Sequence, residues 1–72
     1  MPIDVCVRIG RRIRYFRTER GISQAMLADR IGLTRTNLSR IENGKAEPGI
    51  RTLVQIARAL GLKVAQLVEG TD

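Results

Sequence analysis

Residues 23–45, SQAMLADRIGLTRTNLSRIENGK, read as two short helices joined by a tight turn at Gly32 and Leu33. Ser23 is a side-chain N-cap for the first, and Leu27, Ala28 and Ile31 recur at helical spacing along one side of it. Gly32 follows at the C-terminal position, where a left-handed backbone costs glycine least. Thr34 caps the second helix, which offers only Leu38 and Ile41 to a core before Gly44 ends it. At about 100° per residue, Arg35, Thr36, Ser39, Arg40 and Asn43 fall within an arc of about 140°, roughly opposite those two apolar residues. One side of this helix is therefore committed to packing and the other is free to bind.

Three further helices flank this unit. The first starts after Asp4, a good N-cap, and runs to about Arg20, with Val5, Ile9, Ile13 and Phe16 as its apolar positions and Gly21 as its stop. Its other face holds Arg8, Arg11, Arg12 and Arg14. After a loop over residues 45–49 closed by Pro48, a fourth helix is marked by Ile50, Leu53, Ile56, Ala57 and Leu60 and ended by Gly61. A fifth spans about Val64 to Glu69. No strand pattern, linker, repeat or low-complexity tract interrupts them, so the expectation is one all-α domain over residues 1–72.

A chain of 72 residues sits near the lower limit for a hydrophobic core without metal, disulfide or partner, so a second copy is expected. Thirteen Lys and Arg against seven Asp and Glu leave a net charge of +6, and eleven of the thirteen bases are Arg, the side chain suited to phosphates and guanine edges. A polyanionic partner follows. Cys6 is the sole cysteine and histidine is absent, which excludes an intramolecular disulfide and removes the commonest metal ligand and general base. With no glycine-rich phosphate loop and no paired carboxylates, neither an enzyme, a metal site nor a cofactor is expected. No apolar run resembles a signal peptide or approaches the roughly 20 residues of a membrane span, which makes a cytoplasmic protein with no membrane partner the expectation.

Gly21-Ile22-Ser23-Gln24, Leu27-Ala28, Gly32, Leu38-Ser39, Ile41-Glu42-Asn43-Gly44 and Pro48 together resemble the Cro/repressor-type (XRE) helix-turn-helix family, and the resemblance continues through Leu53, Ile56-Ala57 and Ala59-Leu60 to Leu67. Leu33-Thr34-Arg35-Thr36 and the short length are most similar to small restriction-modification controller proteins and stand-alone phage-like repressors. The resemblance implies a five-helix, lambda-repressor-like domain whose helix-turn-helix, at about 23–44, is formed by helices 2 and 3. It implies a transcriptional regulator that reads the major groove of double-stranded DNA as a homodimer on an inverted repeat.

The same resemblance assigns roles. Arg35 and Thr36 stand in the first turn of the reading helix, and Ser39 and Arg40 one turn later, as base contacts; each is otherwise an exposed polar residue. Gln24, Asn37, Asn43 and Lys45 are expected at phosphates, with Asn43 equally a helix cap. Arg17 and Glu42 occupy positions where the family commonly bridges the first helix to the third. Val54, Val64, Leu67 and Val68 are candidates for the dimer contact, with Val64 and Leu67 equally candidates for the core. Two positions depart from the family pattern: Ala25 and Met26 replace common acidic residues, so Ser23 lacks a reciprocal capping partner, and Lys63 replaces a polar cap. Two other readings remain open: an antitoxin and autorepressor with a toxin partner, and a basic protein adhering to RNA or anionic membranes. Against the last, only Tyr15 and Phe16 could stack on bases.

Overall fold

Asp4 opens the first helix by accepting the Cys6 amide at 2.8 Å, which satisfies one of the amides that no helical carbonyl can reach. The computed structural model describes residues 4–70. In chain order it contains α1 (Val5–Glu19), α2 (Gln24–Ile31), α3 (Arg35–Glu42), α4 (Ile50–Ala59) and α5 (Val64–Val68), with no strand among the described residues. None of these helices is long and apolar enough to cross a membrane.

Local signals set these bounds. Ser23 Oγ accepts the Met26 amide and Thr34 Oγ1 accepts the Asn37 amide, both at 3.1 Å. Ser23 thus caps α2 even without a reciprocal acidic partner. Gly32 has φ +72°, and the Leu33 amide returns to the Ala28 carbonyl at 2.9 Å, which closes α2 and turns the chain into α3. Lys63 cannot supply a side-chain acceptor, and the start of α5 is secured from the other direction: Gln66 Oε1 accepts the Lys63 amide at 3.0 Å.

Every helix contributes to one apolar cluster. Ile13, Leu27, Leu38, Ile56 and Leu67, one from each helix, are its most deeply buried side chains. Two apolar residues expected at this core lie outside it. Val5 is 43% exposed and Ile50 is 78% exposed, because each stands in the first turn of its helix at the edge of the apolar arc, beyond the reach of the neighbouring helices. Phe16 is half-buried and carries the guanidinium groups of Arg12 and Arg20 over its ring at 5.5 and 5.4 Å. Arg12 also donates through Nε to the Gln66 carbonyl at 2.6 Å and approaches Glu69 at 3.5 Å, fastening α1 to the end of α5.

The contact of α1 with α3 positions the outward face of α3. Gly10 is buried where α1 passes the last turn of α3, and a Cβ there would run into the Ile41 carbonyl oxygen and stand 2.6 Å from that of Glu42. Gly44, with φ +72°, meets Val7 in the same way: an added Cβ would lie 2.8 Å from the Val7 Cα. In an exposed helix, glycine to alanine gains about 1 kcal/mol. At Gly10 the obstacle is backbone, which cannot rotate aside, so Gly10→Ala is expected to cost about 1–3 kcal/mol net. Thermal unfolding decides the sign; a rise in Tm would mean that α1 and α3 separate without cost.

Candidate nucleic-acid interface

Leu38 and Ile41 draw α3 into the core, and the helical repeat therefore turns its polar residues outward. Gln24, Arg35, Thr36, Ser39, Arg40, Asn43 and Lys45 line a single open depression, whose rim is supplied by the start of α2 and by the residue after the α3 turn. Of the eight residues expected to touch DNA, only Asn37 lies outside it; Asn37 is exposed further round α3, and its amide serves the Thr34 cap.

The side chains in this depression differ in how firmly they are held. Arg35 and Thr36 are exposed, and their side chains make no hydrogen bond or ion pair with the described residues. Arg40 Nη2 reaches the Lys45 carbonyl at 3.5 Å, a long contact that leaves most of its donors open. Asn43 Nδ2 points to Ser39 Oγ at 3.4 Å, so its side chain lies along the outer face of α3 while Gly44 makes the turn. No carboxylate lines the depression, and Arg35, Arg40 and Lys45 give it a positive potential.

Beneath this surface lies a buried ionic network. Arg17 Nε donates to Glu42 Oε2 at 2.7 Å and Arg17 Nη2 donates to Glu42 Oε1 at 3.0 Å, a two-pronged pair between α1 and α3. Arg17 Nη1 donates to the Ile22 carbonyl at 2.7 Å, which adds the α1–α2 turn to the same node. Gln24 Nε2 completes it by donating to Glu42 Oε1 at 3.1 Å. The side-chain amide has two hydrogens, so this bond orients Gln24 and leaves one N–H free of it. The Glu42 side chain is only 1% exposed, and no buried side-chain nitrogen or oxygen among the described residues lacks a partner.

Arg14 was not among the expected contacts, yet it lines a second groove with Ser23, Gln24, Ala25, Arg35 and Ser39. A signal for it existed in the sequence: Arg14 precedes Arg17 by one helical turn and so shares the side of α1 that faces α3. The expected dimer residues divide. Val54, Val64 and Val68 are half-buried, whereas Leu67 is fully buried in the core and offers no area to a second copy.

Two shifted ionisations lie away from this surface. The Cys6 thiol is pushed up by desolvation first and then by the negative Asp4 and Glu47. The Tyr15 phenol is pushed up mainly by the hydrogen bond it donates to Glu19 at 3.0 Å and by the charge of that carboxylate.

The helix-turn-helix family model matches residues 13–67. The SPbeta prophage-derived HTH-type transcriptional regulator YonR of Bacillus subtilis is 40% identical over 62 residues, which are 86% of this chain and 57% of YonR. The chain spans 29–57% of the lengths of the first curated relatives it matches. Among solved structures, the restriction-modification controller protein C.AhdI of Aeromonas hydrophila superposes with a TM-score of 0.83 at 32% identity, covering 86% of this chain and 94% of C.AhdI. The P22 c2 repressor, solved in complex with a synthetic operator, gives 0.80 at 31% identity with the same two coverages.

Proposed function

Because the chain belongs to the helix-turn-helix family of the Cro/repressor (XRE) type, we propose that it is a transcriptional regulator that binds double-stranded DNA through the outer face of α3. The observation that carries this reading is the single depression that gathers Arg35, Thr36, Ser39, Arg40, Gln24 and Lys45, with its basic groups unopposed by any carboxylate. Its work is binding, without chemistry or cofactor, by one unit over residues 1–72 acting in the cytoplasm.

Arg35 and Thr36, in the first turn of α3, meet base edges, and the Arg35 fork suits the two acceptors of guanine. Ser39 and Arg40 extend the reading by one turn. Gln24, Asn43 and Lys45 hold the flanking phosphates and set the register, with Asn37 at the edge of the contact. The protein acts as a homodimer, which sets two α3 helices about 34 Å apart on successive major grooves and requires an inverted-repeat operator. Half-buried Val54, Val64 and Val68, joined by the exposed Ile50 one turn before Val54, supply the apolar contact between copies. Occupancy then depends on protein concentration through dimer formation.

Selection of bound duplexes from a random pool at moderate salt tests this reading. The expected product is an inverted repeat with half-site centres about one helical turn apart. Recovery of no motif, with binding that vanishes as salt rises, would reduce the interaction to charge alone and overturn the proposal. On the selected duplex, Arg35→Ala is expected to cost about 1–3 kcal/mol and to relax preference at one base pair per half-site, whereas Lys45→Ala weakens all sequences alike. Equal losses on specific and random DNA from both variants would remove α3 from sequence reading.

A further inference from the structure

The concavity under α3 does not end at Arg35. Gln24, Arg35, Ser39 and Asn43 line both the depression described above and the groove that continues from it to α1. Arg40 and Lys45 line only the depression, and Arg14 lines only the groove beyond the shared residues. The Arg14 guanidinium is exposed and makes no hydrogen bond or ion pair with the described residues; only its backbone carbonyl is engaged, by Thr18 Oγ1 at 2.9 Å. No carboxylate lines its groove. Arg17, one turn further along α1, lines the same groove but is 8% exposed and has three of its five N–H donors engaged by Glu42 and the Ile22 carbonyl, so the exposed cation that α1 brings to this groove is Arg14.

We propose that Arg14 is a backbone clamp, binding a phosphate of the DNA strand opposite to the one held by Arg40 and Lys45. The inference rests on the reading of α3 as the groove-binding helix. A helix seated in a major groove about 12 Å wide has a phosphate strand on each side of it. Separate cations beyond the shared residues, Arg40 and Lys45 in one concavity and Arg14 in the other, suit both strands, whereas cations in one concavity alone would grip only one. Arg14 reads no base; by fixing the second strand it sets how deep and at what tilt α3 enters the groove, which makes it a positioning residue. It also enlarges the footprint of α1, so that the first helix becomes part of the DNA-binding surface as well as of the core.

The test uses the full chain, the selected duplex and a scrambled duplex of the same length. Arg14→Ala, at an exposed position, is expected to melt like the parent protein and to weaken both duplexes by the same several-fold factor. The slope of log K against log salt should become shallower by about 0.9, the loss of one phosphate contact. Arg14→Lys should keep the parental slope. Replacing backbone phosphates one at a time by neutral methylphosphonates should reveal one position per half-site that weakens the parent and leaves Arg14→Ala unaffected. Parental affinity and salt slope in Arg14→Ala, with Arg35→Ala still losing its sequence preference, would overturn the clamp and leave the reading of α3 standing. Undiminished preference in Arg35→Ala would instead overturn the reading of α3, and the clamp with it.

Discussion

Replacing Arg17 with alanine is expected to lower the unfolding free energy by about 3–5 kcal/mol, the usual cost of stranding a buried partner charge. Glu42, 4% exposed, would keep Gln24 as its only partner, and the Ile22 carbonyl would lose its donor. The loss measures the penalty of an orphaned carboxylate and overstates the net value of the pair. Taking two charges out of water costs about as much as their attraction returns, so the double change Arg17→Met with Glu42→Leu is expected to regain most of the stability. It should not regain binding, because Glu42 also holds the Gln24 amide at 3.1 Å, and without it that side chain is free to turn. Urea unfolding of the single and double variants, with DNA affinity measured on each, separates the two effects. A loss of 1 kcal/mol or less in Arg17→Ala would place the pair with exposed salt bridges, whose worth is about 0–1 kcal/mol.

Leu38→Ala is expected to cost about 2–5 kcal/mol, because Leu38 is fully buried in the core on the inner side of α3. A domain of this size draws on one small core, and total stabilities of about 5–15 kcal/mol are usual for native proteins, so the loss would leave a substantial unfolded fraction near physiological temperature. With about 4–8 °C per kcal/mol in small domains, Tm should fall by roughly 8 °C or more. Sequence preference on the selected duplex should survive in the folded fraction, since the outer residues of α3 are unchanged, and saturating DNA should raise Tm again by mass action. A fall in Tm below about 4 °C would mean that the site collapses to fill the cavity, and altered base preference would mean that Leu38 does more than hold α3 in place.

Both changes act on α3, Leu38 from its own inner side and Arg17 from α1 through Glu42. Its inner side is fixed by Leu38 and Ile41, its last turn is fixed by Glu42, and what remains facing outward is the set of residues free to meet a ligand. The division of labour explains why a helix of eight residues can present side chains with little play: apolar contacts, an ion pair and a glycine-mediated close approach act at different points along it.

Much of this was legible in the chain itself. Asp4, Ser23 and Thr34 cap helices where their short polar side chains reach a free amide, and the five helices begin and end within about a residue or two of where caps and glycines place them. The outward arc of α3 also follows from spacing alone, since rotation about a helix axis depends only on residue number. Periodicity fails where axial position matters. Val5 and Ile50 have nearly the right angle for the core yet lie past the ends of the helices that would cover them, whereas Leu67, a candidate for both core and dimer contact, is enclosed on all sides.

Local rules thus determined the helices, the turn and the identity of the outward face, because caps, glycine conformations and the 3.6-residue repeat act over a few neighbours. Tertiary structure alone decided that Gly10 must be bare against the Ile41 and Glu42 carbonyls, that Gly44 must clear Val7, and that Gln24 is aimed by Glu42. Each of these depends on a distance between segments far apart in the chain, which is set by how α1 packs on α3 and cannot be computed from the spacing of residues along either one.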